Sequence, residues 1–476
     1  MRKHFNHKKN LIWAFALLLI GIAACAPQTA IPIYVTPTQQ IVPTISTVVP
    51  TVEIIATEPN LSPTVEIVTT VTPETTRIGA IIDSNYIVPP TTTPRLPTQV
   101  ATEVVTQVAA IAEPSSTPIP IPQAPGGLDP NLMGIQVDYN ATVDQWAQIL
   151  NAAKMTKVGW IKLQANWQYL QSNHRDQFDQ NFALFQLHVQ EAHKQELKVL
   201  LSIAKAPTWT RNVNRNFDGP PDNPADLVYF INLLLEKVGP NVDAIEIWNE
   251  PNLDREWTGN YPRTGAGYMQ LFKPAYEAIR AYSPDITIVT AGLAPVGNVE
   301  GATDDREFLQ GMYNAGLGQY PDVAVGIHPY SWGNPPDVSC CDAIPDRGWD
   351  DNPRFFFSDN IKAYHDILIR NGQSTTKLWG TEFGWATWDS YPSEVPEAWM
   401  TYNTPLTQAE HTLKAFEIAQ SLEYMGPMIL WNLNFANPTV IEMRNEIAGY
   451  SLLYPNYWSG EGTLERPLFW SLVQRP

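Results

Sequence analysis

Two glutamates stand at the ends of apolar runs, in settings where a carboxyl could do chemistry. Glu250 sits in Trp248-Asn249-Glu250-Pro251-Asn252, and Glu382 in Trp379-Gly380-Thr381-Glu382-Phe383-Gly384-Trp385. If both runs are strands and both glutamates point into one hollow, the pair has the makings of glycosidic-bond hydrolysis. One carboxyl, protonated, gives its proton to the leaving oxygen, while the other, ionised, attacks the anomeric carbon or activates water. That division of labour requires a raised pKa at the acid, expected at Glu250, and an ionised partner at Glu382. Asn249, next to the candidate acid, is placed to hydrogen-bond a sugar hydroxyl. No Cys/His cluster has zinc spacing and no Gly-rich phosphate turn follows an early strand, so the sequence implies neither a metal nor another cofactor.

The elements around the two glutamates repeat. From about Gly127 onward, short apolar runs alternate with amphipathic stretches. The strand candidates are 132–139, 158–166, 198–207, 244–251, 287–295, 323–330, 377–385 and 427–434. The clearest helix candidates are 142–155, 180–195, 224–239, 266–282 and 407–425, several with apolar residues at i, i+3, i+4 and i+7. Eight strands each followed by a helix predict parallel pairing through right-handed crossovers, and a single (β/α)₈ TIM barrel with long strand-to-helix loops. A doubly wound open sheet is the alternative. Glu250 closes the fourth candidate strand and Glu382 the seventh, which places them across the mouth of such a barrel. Glu246 shares strand parity with Glu250 if the strand is regular, and reads as a buried, paired, structural carboxyl.

In this order and with these two motifs, the globule resembles the clan A retaining (β/α)₈ glycoside hydrolases, most of all families 39 and 5. In that clan the acid/base follows an Asn at the end of strand 4 and the nucleophile is a Glu at the end of strand 7. The resemblance implies Glu250 as acid/base, Glu382 as nucleophile, and carboxyls about 5 to 5.5 Å apart. It further implies that His328 and Tyr330, in Gly326-Ile327-His328-Pro329-Tyr330, contact the sugar and the nucleophile, and that Trp431 floors a sugar subsite. Asn166 and Trp167 are placed to reach the pocket. The clan often has a basic residue near them, and none is evident there. Trp209, Trp332, Trp385 and Trp388 lie at or beyond strand ends, where indoles stack on sugars; Trp209 and Trp385 are taken as substrate contacts.

The rest of the chain reads as a head and a stalk. Residues 1–24 have a basic start and an apolar stretch too short for a spanning helix, ending in Ile22-Ala23-Ala24-Cys25. This resembles the bacterial lipobox and implies a lipoprotein signal peptide, lipidation of Cys25 and an extracytoplasmic, membrane-anchored protein. Residues 26 to 125 hold 17 of the 42 prolines and no Trp, so they read as a disordered Thr/Pro-rich linker rather than as strands. The catalytic domain is then 126–476. A net charge of −18 argues against nucleic acid as a partner and leaves the lipid anchor as the membrane contact. Adjacent Cys340 and Cys341 allow a strained disulfide, two free thiols or a bridge to a second chain. The leading expectation is a retaining β-glycosidase acting on poly- or oligosaccharide, with internal cleavage in an open cleft. The alternatives are a transglycosylase remodelling surface glycans and a non-catalytic glycan-binding lipoprotein.

Overall fold

The computed structural model describes residues 121–212, 217–341, 351–457 and 459–476. The signal segment, Cys25 and the linker up to residue 120 lie outside the described residues. The eight expected strands are present and close into one parallel barrel in sequence order. They are β1 (Met133–Gln136), β2 (Trp160–Asn166), β3 (Lys198–Ala204), β4 (Ala244–Ile247), β5 (Thr287–Thr290), β6 (Val323–Ile327), β7 (Leu378–Phe383) and β8 (Met425–Leu430). Pairing of Met133–Ile135 with Met428–Leu430 joins the first strand to the last. The helices that follow each strand are α1 (Val143–Met155), α2 (Phe182–Lys194), α3 (Pro224–Val238), α4 (Gly265–Tyr282), α5 (Asp305–Asn314), α6 (Phe357–Arg370), α7 (Pro405–Ser421) and α8 (Pro467–Val473). A two-stranded antiparallel hairpin, Leu453–Pro455 with Thr463–Glu465, precedes α8.

Local chemistry sets these boundaries. Thr142 starts α1 with a capping box to Gln145, and Asn223 caps α3 with Pro224 in its first turn. The strands are apolar because both faces are buried, one against the helices and one inside the barrel. Strand alternation sorts the interior into layers. Trp160, Leu200, Ala244, Val289, Ala324, Trp379 and Ile429 form an apolar plug. Two residues further along their strands the register brings in Lys162, Ser202, Glu246 and Thr381, all wholly buried. The barrel therefore changes from apolar to polar one layer below its C-terminal rim.

The expected strands run past the observed ends at the rim. On β4 the reason is visible. Trp248 and Glu250 take φ of 77° and 39°, so the pleat stops at Ile247 and the parity argument linking Glu246 to Glu250 no longer applies. Left-handed backbone at two non-glycine residues costs about 1–3 kcal/mol each and is found where function fixes a side chain. Tyr268 on α4 donates to Ile247 O at 2.7 Å and accepts from Ala291 N–H at 2.9 Å, bracing this end of β4 against β5. Cys340 and Cys341, in the loop after β6, are joined to each other as a disulfide, and the Cys340 N–H donates to Asp359. Among the described residues no helix is long and apolar enough to cross a membrane.

Candidate active site

The polar layer is the floor of the site. Lys162 Nζ lies 2.9 Å from Glu246 Oε2 and 3.1 Å from Glu382 Oε1, and it donates to Thr381 O at 3.1 Å. Burial opposes a charge on this amine, but Glu246 and then Glu382 outweigh it and hold its pKa above the ordinary value. Burial likewise opposes charge on Glu246, yet Lys162 and then His328 bring its pKa below the usual 4.5. Lys162 overturns the expectation that no basic residue serves this side of the pocket. It comes from the middle of β2, two repeats of the pleat below Asn166, and rises through the barrel interior.

His328 joins the two glutamates. It follows β6, with Nδ1 3.0 Å from Glu250 Oε1 and 3.9 Å from Glu382 Oε2. Its Nε2 lies 3.1 Å from Thr381 Oγ1. Burial favours the neutral ring, but Glu382 and Glu250 prevail and raise its pKa. The ring fits because residue 292, just past β5, is glycine. A methyl group there would run into His328 Nε2 and Thr381 Oγ1. Glu382 accepts on both oxygens, from Lys162 on one and from the Tyr330 hydroxyl at 3.1 Å on the other. Tyr330 stands edge-on to Trp431, ring centres 6.1 Å apart, and to Tyr450 at 5.6 Å. These three aromatics form a wall beside Glu382.

Glu250 is held differently from expectation. Its second oxygen accepts from Arg255 Nη2 at 2.7 Å. Burial pushes the carboxyl up, but the Arg255 guanidinium and then the His328 hydrogen bond outweigh it and bring the pKa down to about 2. The expected raised value is therefore corrected: Glu250 is an ionised, doubly bonded carboxylate. Asn249 is 7% exposed, and its Oδ1 has no hydrogen-bond partner. A buried unpaired carbonyl on the residue before Glu250 is an open acceptor for a hydroxyl.

Four expected sugar contacts are not brought to the glutamates. Asn166 Oδ1 is used at 3.0 Å as the cap of the short helical turn Trp167–Leu170. Trp167 stacks on Phe230 of α3 and donates from Nε1 to Gln171. Trp385 is fully buried against Phe357 and Phe383 and donates to Asn334 O. Trp209 is half-buried, fastened to Gln171 O and edge-on to Trp167. Two of these positions lie past their strand ends: Trp167 opens the short helical turn after β2, and Trp385 follows β7, whose pairing with β8 shifts register between Gly380 and Phe383. Of the other loop indoles, Trp388 is buried, donating to Ser393 O, whereas Trp332 is partly exposed against Phe355.

Sequence reasoning passed over Lys162 and Arg255. A signal for Lys162 was present as the lone cation in the strand WIKLQAN, which needs a buried counter-charge. Arg255 lies on a loop, and nothing in its spacing indicates that it folds back on Glu250. Among the described residues no cluster of His, Cys, Asp and Glu could hold a metal ion.

Similar proteins share this architecture. A family 39 glycoside hydrolase from the gut symbiont Bacteroides cellulosilyticus WH2 superposes with a TM-score of 0.53 at 18% identity, over 74% of this chain and 64% of that one. The chain thus spans just under two thirds of that protein. The Ignisphaera aggregans GH53 catalytic domain superposes with a TM-score of 0.50 at 14% identity, over 75% of this chain and 99% of that domain. At such identities the likeness is one of fold. No curated protein matches the chain. The sequence pattern of the family described as Cellulase (glycosyl hydrolase family 5) matches residues 122–402, which is more than half of the chain and includes both glutamates. With its closed barrel and paired carboxyls at the rim, the chain belongs to glycosyl hydrolase family 5.

Proposed function

We propose that the protein is a retaining β-glycosidase acting on poly- or oligosaccharide, with Glu382 as nucleophile and Glu250 as general acid/base. The observation that carries this reading is the meeting of both carboxyls at one imidazole nitrogen, 3.0 and 3.9 Å away. Carboxyls that share a neighbour so closely suit the separation of about 5 to 5.5 Å used for direct attack, better than the roughly 6.5 to 9.5 Å that leaves room for a water.

Glu382 attacks the anomeric carbon as the bond to the leaving oxygen breaks and Glu250 delivers a proton to that oxygen. A water, losing its proton to Glu250, then attacks the same carbon and expels Glu382. Lys162 and Tyr330 fix the nucleophile from two directions. Asn249 Oδ1 is available for a sugar hydroxyl, and the wall of Tyr330, Trp431 and Tyr450 offers aromatic area to a sugar ring.

The reading extends to the amino-terminal segment, supported by its sequence: lipidation at Cys25 would tether the globule outside the cytoplasm. The test of the activity is incubation of the full chain with a panel of β-linked glucans, mannans, xylans and galactans. Products are sized, and the anomer first released is read by proton NMR. First release of the β-anomer supports the proposal. First release of the α-anomer, or no cleavage across the panel, overturns it.

A further inference from the structure

An acid must have a proton to give. Glu250 meets Arg255 Nη2 on Oε2 at 2.7 Å and His328 Nδ1 on Oε1 at 3.0 Å. A guanidinium does not release its protons, so the proton at this carboxyl's disposal is one shared with the imidazole. Whether Nδ1 is the nitrogen that titrates is decided on the far side of the ring.

There Nε2 lies 3.1 Å from Thr381 Oγ1 and 4.0 Å from Glu246 Oε1. Glu246 is paired with Lys162 at 2.9 Å and accepts the Gly292 N–H at 3.1 Å, as an ionised carboxylate that can only accept. Thr381 hydrogen-bonds this carboxylate too. The hydroxyl has one proton, which goes to Glu246, and so it turns a lone pair toward Nε2. Nε2 then keeps its hydrogen in both charge states, and Nδ1 is the nitrogen that gains and loses one.

Charge balance places the mobile proton on the ring. Among the described residues, Glu246 on β4, Glu250 on the loop after it and Glu382 on β7 face His328, whose Nδ1 is also 3.9 Å from Glu382 Oε2. Against these three carboxyls stand two cations, Lys162 from β2 and Arg255. Tyr330 adds a neutral hydroxyl on Glu382. With the three carboxyls ionised, a negative charge is left over in a buried site, and a proton at Nδ1 cancels it. Glu250 is faced in turn by Glu256, whose carboxyl burial pushes up to about 7 against the pull of Lys205. The raised pKa of the ring and the value of about 2 at Glu250 agree with a proton resting on His328.

We propose that His328 stores the proton that Glu250 delivers, and that Thr381 is the positioning residue which, by accepting from Nε2, keeps that proton at Nδ1. The inference rests on the reading of Glu250 as acid/base. As the bond to the leaving oxygen breaks, the Nδ1 proton crosses to Glu250 and from that carboxyl to the leaving oxygen. One N–H bond is lost, one O–H bond is made, and His328 is left neutral with its hydrogen on Nε2. In the second step the attacking water gives a proton to Glu250, which returns it to Nδ1.

The first test does not depend on activity. The full chain is labelled with ¹⁵N in its histidines and titrated, and the His328 signals are assigned by their loss in His328→Gln. The His328 midpoint should lie at least about one pH unit above that of the exposed His174. Above that midpoint the neutral ring should carry its hydrogen on Nε2. Thr381→Val should lower the midpoint by at least about one unit, and Thr381→Ser, which keeps the hydroxyl, should restore most of it. A ring that is neutral at neutral pH in the parent, a neutral ring with its hydrogen on Nδ1, a midpoint unmoved by Thr381→Val, or one lowered equally by Thr381→Ser overturns the proposal. The parent titration stands even if Thr381→Val does not fold. The second test reads kcat/KM against pH on the shortest oligosaccharide the glycan panel shows to be cleaved, and on the matching dinitrophenyl glycoside. Thr381→Val should move the alkaline limb down by at least about one unit and lower kcat/KM at least about tenfold on the oligosaccharide, with a much smaller loss on the dinitrophenyl glycoside. An unmoved limb, or equal losses on both substrates, overturns it. If the nitrogen titration behaves as stated and no glycan is cleaved, the proposed function fails while the proton's place on His328 stands.

Discussion

Lys162 and Glu246 form an ion pair of 2.9 Å inside the barrel, both side chains shut off from solvent. The pair lies one layer below the site, and the same ammonium reaches on to Glu382. Isolated in this interior, either charge would be costly; together, and with His328 4.0 Å from Glu246, they form a fixed electrostatic base for the carboxyls above.

Removing one member of that pair exposes its cost. Lys162→Met leaves Glu246 buried without its counter-ion and should destabilise the fold by about 3–5 kcal/mol. Lys162→Met/Glu246→Gln should recover most of the loss, because no charge then remains unpaired. Urea unfolding of the full chain measures both. The double variant should still be impaired in turnover, since the donor to Glu382 Oε1 is gone.

Glu250 and Glu382 should fail in different ways. Glu250→Gln should lower kcat/KM about 10²- to 10⁴-fold on natural glycosides but spare glycosyl-enzyme formation from a dinitrophenyl glycoside, whose leaving group needs no proton. Glu382→Ala should form no covalent intermediate from either. Intact-mass spectrometry after a fluorosugar trap distinguishes the two. A trapped adduct on Glu382→Ala would remove its assignment as nucleophile.

The tryptophans divide into wall and core. Trp431→Ala, beside Tyr330, should raise KM several-fold with little change in stability. Trp167→Ala should instead cost about 3–5 kcal/mol of stability through its lost packing on Phe230, with KM unchanged at a temperature where the variant is folded. Thermal unfolding and oligosaccharide kinetics on the same preparations separate the two roles.

Glu256 also predicts a pH dependence of stability. Its folded pKa of about 7 lies above the ordinary 4.5, so its contribution is fully present below pH 4.5 and is lost as the pH rises toward 7. Over that window it accounts for roughly 3 kcal/mol, at about 1.4 kcal/mol per unit. Glu246, lowered by Lys162, works the other way: its contribution is present above its unfolded value and fades as acid is added. Melting curves of Glu256→Gln between pH 4.5 and 7.5 should lack the decline seen in the parent. An identical decline would show that the titration of Glu256 does not set the pH dependence in this window.

Much of the barrel is legible in the sequence because its signals are repetitive. Each strand is a short apolar run, each crossover an amphipathic stretch, and WNEPN and TEFGW close runs four and seven. What the runs do not show is where the pleat stops. The apolar letters continue through Trp248, while the backbone there has turned left-handed and aims Glu250 by a loop rather than by parity. Alternation along β2 is enough to place Lys162 in the interior with Trp160, but along β7 it fails, because the register with β8 shifts between Gly380 and Phe383 and Glu382 reaches the site directly after the inward Thr381. The contact between Arg255 and Glu250 is of another kind. It depends on how one loop folds over the rim, which no local pattern encodes.

The backbone at Gly292 gives the site an unexpected point of failure. It touches no sugar and offers no side chain, yet it yields the volume in which His328 stands between the two glutamates. A lineage that acquired alanine there would keep its barrel, its WNEPN and TEFGW, and every reactive group in its primary structure, while the imidazole linking them was dislodged. Its descendants would look like glycosidases to anyone scanning for the two glutamates, and the loss would be written two strands away from the nucleophile's own motif in a codon for the smallest residue.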